Sequence, residues 1–206
     1  GGRMVVQITT EAVGRYAPDE QMAVVRAARP EAVSLALREL APAPDAEPAF
    51  LDFMAWMRSE RIAAQVILYD RTDRDRLAGL ARAGLLPEGG WTVLYVLGRY
   101  AAGQRSEPRD LFGFLDEDGR SPFPDWMACA FGPAEVRCLT LAALLGGDVR
   151  TGFENNLHLP DGGIAPDNAT LVANLATALG ALGTTLADAD DVRERWLGPV
   201  QPTIRD

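Results

Sequence analysis

Nearly unbroken apolar runs recur along this chain, roughly 25–35 residues apart, and each is followed by a stretch with helical spacing. The runs are MVVQITT (4–10), AVSLAL (32–37), AQVILY (64–69), WTVLYVLG (91–98), WMACAFG (126–132) and DVRTGF (148–153). A strand wetted on one face alternates apolar with polar residues. These do not alternate, so both faces must be covered, which calls for a parallel sheet packed between helices. The intervening segments fit that role. In PAFLDFMAWMRSERI (48–62), Phe50, Phe53, Met54 and Met57 fall at i, i+3, i+4 and i+7, a core stripe rather than a cofactor box. PDEQMAVVRAARP and RDRLAGLARAG read as helices, the second closed by Gly84, and a weaker helix is expected around RDLFGFLDED. PAEVRCLTLAALLGG runs from Pro133 at a helix start to Gly146 at its end, and PDNATLVANLATALGALG (166–183) completes the set. Six strand–helix units follow, expected to form one domain over residues 1–206.

No GxGxxG or GxxxxGK[ST] follows any strand, which removes support for nucleotide folds built on those loops. A TIM-type (β/α)8 barrel is the expected α/β fold, with its site at the strand C-termini. The residues found there are Thr9, Thr10 and Glu11; Arg38 and Glu39; Tyr69 and Asp70; Arg99; Glu135; and Glu154, Asn155 and Asn156. A complete barrel has eight strands and typically about 250 residues, so in 206 residues the first two βα units are expected to be lacking. An open six-stranded sheet is the competing architecture.

Composition narrows the function. A net charge of −9 argues against a nucleic-acid partner, which rewards basic surfaces. All 20 basic residues are arginine, so any mechanism through a lysine Schiff base, pyridoxal phosphate chemistry included, is excluded. Cys129 and Cys138 show no metal-ligand spacing and read as buried thiols. No stretch approaches the roughly 20 apolar residues of a membrane helix, and the opening GGRMVVQITTE has no signal-peptide pattern, so a cytoplasmic location is expected.

The segment GGDVRTGFENNLHLPDGG (146–163) carries the only histidine, His158, four residues after Glu154. On residue type alone this could be a metal site, an acid–base site or an ordinary turn, and His158 reads as a packing or loop residue rather than a ligand. The longer stretch VRTGFENNLHLPDGGIAPDNATLVANLATALGALG resembles the C-terminal signature of the β-keto acid cleavage enzymes, the 3-keto-5-aminohexanoate cleavage family, with its Arg-x-Gly-x-Glu-[Asp/Asn]-Asn core. MVVQITTEAVG, RPEAVSLALREL, GLARAGLLPEGGWTVLYVLG and WMACAFG are similar to that family's other strands. The resemblance implies a zinc-dependent (β/α)8 barrel that converts a β-keto acid and acetyl-CoA into acetoacetate and a new CoA thioester, working as a homo-oligomer. It also implies roles: Glu154 as zinc ligand, Arg150 as active-site arginine, Thr9 with Thr10 as substrate contacts, and Ser34 on the strand that supplies another.

The implied chemistry is coherent. Cleavage beside a ketone leaves an enolate, which a Lewis acid such as zinc can stabilise, and Arg150 can hold a carboxylate by charge-assisted hydrogen bonds. The chain also departs from the family pattern. Asn155 stands where the family has the aspartate that pairs with the arginine, and an amide is no carboxylate base. Gln65 and Ile67 occupy the strand where the family carries a glutamate, and no His-x-His pair is present. Two other readings therefore stay open: a barrel that binds a small carboxylate without catalysis, and another metal-dependent barrel lyase or isomerase.

Overall fold

A computed structural model of the protein describes residues 4–198. Six strands form one sheet in chain order, β1 (Gln7–Thr9), β2 (Ala32–Ala36), β3 (Ala63–Leu68), β4 (Trp91–Leu97), β5 (Trp126–Ala130) and β6 (Asp148–Val149). Between and after them lie α1 (Pro18–Ala28), α2 (Leu37–Leu40), α3 (Glu47–Ser59), α4 (Arg71–Arg82), α5 (Glu135–Leu144), α6 (Asn168–Ala181) and α7 (Ala189–Leu197). The result is a parallel α/β fold. Its strand order never reverses, so it lacks the switch point of a doubly wound sheet and follows the winding of a (β/α) barrel. Every residue of β2, β3 and β5 is buried, as the unbroken apolar runs demand. Among the described residues no helix is long and apolar enough to cross a membrane.

The described residues divide into two compact units. The first holds residues up to Val66, Gly79–Thr92 and those from Ala187 on. In it β1 and β2 pair in parallel with Gln7 opposite Ala32 and Thr9 opposite Ser34. Helix α3 buries Phe50, Phe53, Met54 and Met57, the expected stripe. On its flank the Arg26 guanidinium lies 5.3 Å from the Phe53 ring centre and 4.5 Å from that of Trp56. Helix α7, for which the sequence reading had no counterpart, opens on Asp188, whose carboxylate accepts from the Asp190 and Asp191 amides. Its Arg193 pairs with Glu31 and donates to the Met4 carbonyl at 2.9 Å.

The second unit holds Ile67–Ala78 and Val93–Leu186. Here β4 and β5 pair from Val93 opposite Trp126 to Leu97 opposite Ala130. Tyr95 is fully buried against Phe114 and Trp126, with its hydroxyl 2.7 Å from that of Ser121. Arg74, only 4% exposed, is matched by Asp116 at 2.6 Å. Two expectations shrink. The helix expected around 109–118 is a 3-10 turn, Pro108–Gly113, ended by a glycine. The strand expected over 148–153 stops at Val149, because Gly152 bends the chain so that the Asn155 and Asn156 amides both donate to its carbonyl.

The Arg193–Glu31 pair gives a pH-dependent prediction. The hydrogen bond from Arg193 and the Val6 amide hold the Glu31 carboxyl below its ordinary value of 4.5, so its contribution is present above that value and is lost as pH falls through the lowered one. Relative to the intrinsic exchange rate at each pH, hydrogen-exchange protection over residues 189–197 should fall on such acidification, and in Arg193→Ala should already be low at neutral pH.

Candidate active site

Strand β5 ends at Ala130, and after Phe131 and Gly132 the chain enters α5 at Glu135. That carboxylate is only 1% exposed. It accepts from the Asn156 side-chain amide at 3.1 Å and from the Gly152 N–H at 3.4 Å. The same Asn156 amide donates to the His158 carbonyl at 2.7 Å, and its oxygen accepts from the His158 N–H at 2.9 Å. One buried acid and one amide thus fasten the turn that follows β6. The Arg150 N–H extends the β5–β6 pairing by donating to Ala128, and Gly132 donates to the Asn155 carbonyl.

On that turn Arg150 and Glu154, one helical step apart, form an ion pair at 2.5 Å. Glu154 is two-thirds exposed and Arg150 about one-quarter. Glu154 borders a cleft of about 530 Å³ whose lining also includes Asn155, Asn156, His158, Arg105, Phe131 and Gly132. Asn155 is 8% exposed, and its side-chain amide has no hydrogen-bond partner among the described residues. That amide keeps some access to solvent, so it can meet a ligand at the cleft wall without giving up an internal bond. The structure therefore brings Arg150, Glu154 and Asn155 together. His158 has its backbone in the turn and its residue on the cleft wall, in keeping with the loop role expected for it.

In the first unit the other expected contacts cluster by themselves. Thr9, the last residue of β1, is the register partner of Ser34 in the middle of β2, and the Thr10 N–H donates to the Ser34 carbonyl at 3.1 Å. Ser34 is buried and Thr9 exposed, while the Thr10 hydroxyl is buried with no partner among the described residues. Glu39, another strand-end candidate, accepts from the Ala12 N–H at 2.9 Å and so anchors the loop after β1. Sequence reasoning missed Arg105. The loop that carries it has glycines against it on two sides, at Gly98 and Gly132, and that was its one visible signal.

Metal-binding potential is limited. Among the described residues no three His, Cys, Asp or Glu side chains group as a metal requires, and the Glu154 oxygen that the resemblance gives to zinc is engaged by Arg150. Cys129 is no substitute, since burial pushes its thiol up to about 12 and keeps it protonated.

The sequence profile described as beta-keto acid cleavage enzyme matches residues 1–197. The chain belongs to the beta-keto acid cleavage enzyme family. It is 32% identical over 69 residues to a 3-keto-5-aminohexanoate cleavage enzyme of Fusobacterium nucleatum, covering 34% of this chain and 25% of that enzyme. It is 24% identical over 196 residues to a 3-oxoadipate:acetyl-CoA acetyltransferase of Cupriavidus necator, covering 92% of this chain and 67% of the transferase. Among solved structures, a binary complex of ObcA with oxaloacetate superposes with a TM-score of 0.66 at 19% identity, over 93% of this chain and 52% of ObcA. The fold is thus shared with ObcA, of which this chain spans about half the length.

Removing the Glu135 carboxylate should loosen the turn. Glu135→Ala leaves the Gly152 and Asn156 donors without their acceptor, at a cost of about 1–3 kcal/mol, seen as a lower urea midpoint at unchanged slope. Burial raises the Glu135 carboxyl above its ordinary 4.5, so the folded state holds that proton more tightly than the unfolded chain. Stability should therefore decline as pH rises from the ordinary value through the raised one, and this component of the decline should vanish in Glu135→Ala.

Proposed function

We propose that this family member cleaves a β-keto acid in the presence of acetyl-CoA, giving acetoacetate and a new CoA thioester. The observation that carries this reading is the Arg150 guanidinium paired with Glu154 of the cleft wall, next to an Asn155 side chain that no other described residue bonds. The reaction breaks the bond between the keto carbon and its CH2–carboxylate neighbour. The acyl fragment passes to the CoA sulfur, and the CH2–carboxylate fragment bonds to the acetyl carbonyl carbon. Atoms and charge balance without an oxidant or reductant.

Arg150 suits the carboxylate that survives this exchange, because a guanidinium binds a carboxylate by two parallel, charge-assisted bonds. Its present partner Glu154 is mostly exposed, so the guanidinium can pass from that side chain to a substrate carboxylate at small cost. The Asn155 amide can donate to an oxygen that gains negative charge as the bond breaks. Thr9, Thr10 and Ser34 belong to the proposal as substrate contacts, with the unpartnered Thr10 hydroxyl in support. Zinc belongs to it only in part. A zinc site that includes Glu154 would need ligands beyond the described residues. Homo-oligomeric assembly and a cytoplasmic location complete the reading.

A second reading is favoured by one observation. Among the described residues that line the cleft no carboxylate stands ready as a base: Glu154 is ion-paired and position 155 is an amide. A barrel of this kind could hold a small carboxylate without turning it over.

Purified protein given acetyl-CoA and a panel of β-keto acids should produce acetoacetate. Arg150→Ala should lower kcat/KM by about 100-fold or more, the scale of a lost charged contact in the transition state. Elemental analysis of the same protein should find zinc near one per chain if Glu154 is a ligand. Absence of acetoacetate across the panel, with carboxylate binding retained, would move the assignment to the second reading.

A further inference from the structure

Two successive amides in the turn after β6 lie beyond the sheet, and each is taken by a different helix. The ladder stops with β6 at Val149 and the Arg150 N–H, so the Gly152 and Phe153 N–H groups need other acceptors. The Gly152 N–H goes to Glu135, the first residue of α5. The Phe153 N–H goes to the side-chain oxygen of Asn168, the first residue of α6, at 2.9 Å.

Nothing in α6 itself calls for an asparagine at that position. The helix is capped one residue earlier, where the Asp167 carboxylate accepts from the Thr170 N–H at 2.8 Å and from its hydroxyl at 2.7 Å. Asparagine is also one of the weaker helix formers. The Asn168 side chain reaches back to the turn instead, and the fit is close. A Cβ on Gly152 would stand 2.9 Å from the Asn168 oxygen, and Gly152 has φ +146°, which side chains rarely adopt. The bare face of Gly152 is what lets that oxygen come up to the next amide.

The residue after that amide is Glu154, whose carboxylate meets the Arg150 guanidinium across the turn. The direction of this pair depends on the path of the chain between its members. Arg150 is tied at one end by its N–H to Ala128, while Glu135 and Asn168 grip residues 152 and 153 from two helices. We infer that Asn168 is a positioning residue of the candidate site: its side-chain oxygen holds the Phe153 amide and thereby sets Glu154 against Arg150. This rests on the reading of Arg150 as the group that receives the substrate carboxylate. Small displacements of such a group are expensive in rate even where the fold is unharmed.

Three variants separate this role from a contribution to the helix alone. Asn168→Leu keeps the size and removes the acceptor. Asn168→Asp restores an oxygen at the same place, with a charge that a helix start favours. Thr170→Ala weakens the start of α6 without touching the turn. One readout is nitrogen NMR of the Arg150 guanidinium, whose Nη signals separate when an ion pair slows rotation about the Cζ–Nη bonds. The other is kcat/KM for acetoacetate formation. Wild type, Asn168→Asp and Thr170→Ala should show separated signals and similar kcat/KM. Asn168→Leu should show merged signals and a kcat/KM lower by about tenfold or more. In the wild type the Phe153 amide should exchange with solvent far more slowly than an unbonded amide. The inference is overturned if Asn168→Leu keeps the separated signals or the kcat/KM of an active wild type, if Asn168→Asp fails to recover them, or if Thr170→Ala loses them too. An unprotected Phe153 amide in the wild type overturns it as well, and decides the matter even where Asn168→Leu does not fold. Protein that forms no acetoacetate yet follows the NMR pattern counts against the reaction alone.

Discussion

Burial of the strands on both faces governs everything else in this protein. With β2, β3 and β5 closed off from water along their whole length, their backbone groups can be satisfied only by parallel neighbours and their side chains must be apolar with few exceptions. Those exceptions are informative. Gln65 within β3 meets the Gln7 amide of β1 at 3.4 Å, and Ser34 sits in the middle of β2, opposite Thr9. Ionisable chemistry is pushed past the strand ends, into turns whose geometry the sheet dictates but whose residues are free to vary.

The turn after β6 shows how such a segment is kept in place without a core of its own. A carboxylate taken out of water is unfavourable unless donors surround it, and Glu135 has them from Gly152 and Asn156. Asn156 is then saturated by the backbone of His158. The neighbouring Asn155 is the opposite case, with no side-chain bond to another described residue and its place on the cleft wall. Two adjacent residues of the same type thus sit in different surroundings, one locked into the turn and one left open at the cleft.

Much of this was legible in the sequence, for reasons that can be stated. A fully buried strand and an i, i+3, i+4, i+7 stripe leave marks that survive any packing detail, so β2 to β5 and α3 were readable. The Arg150–Glu154–Asn155 cluster was readable because a turn compresses its chemistry into a few consecutive residues. The end of β6 was not, because the bend at Gly152 is held by the carbonyl contacts of a turn rather than by an apolar pattern. Helix α7 escaped because it is polar and has no buried residue, although the Asp188 cap was present in the letters. Arg105 escaped for a deeper reason. Its meaning depends on Gly98 and Gly132, which come close to it only after β4 and β5 pair.

Fixing that loop by backbone contacts, rather than by the Arg105 side chain, has an evolutionary consequence. The cleft wall at this position is a socket whose depth and direction do not depend on the occupant. Exchanging the side chain would change the charge this wall presents without remaking the loop, so the position is open to variation while the scaffold stays the same.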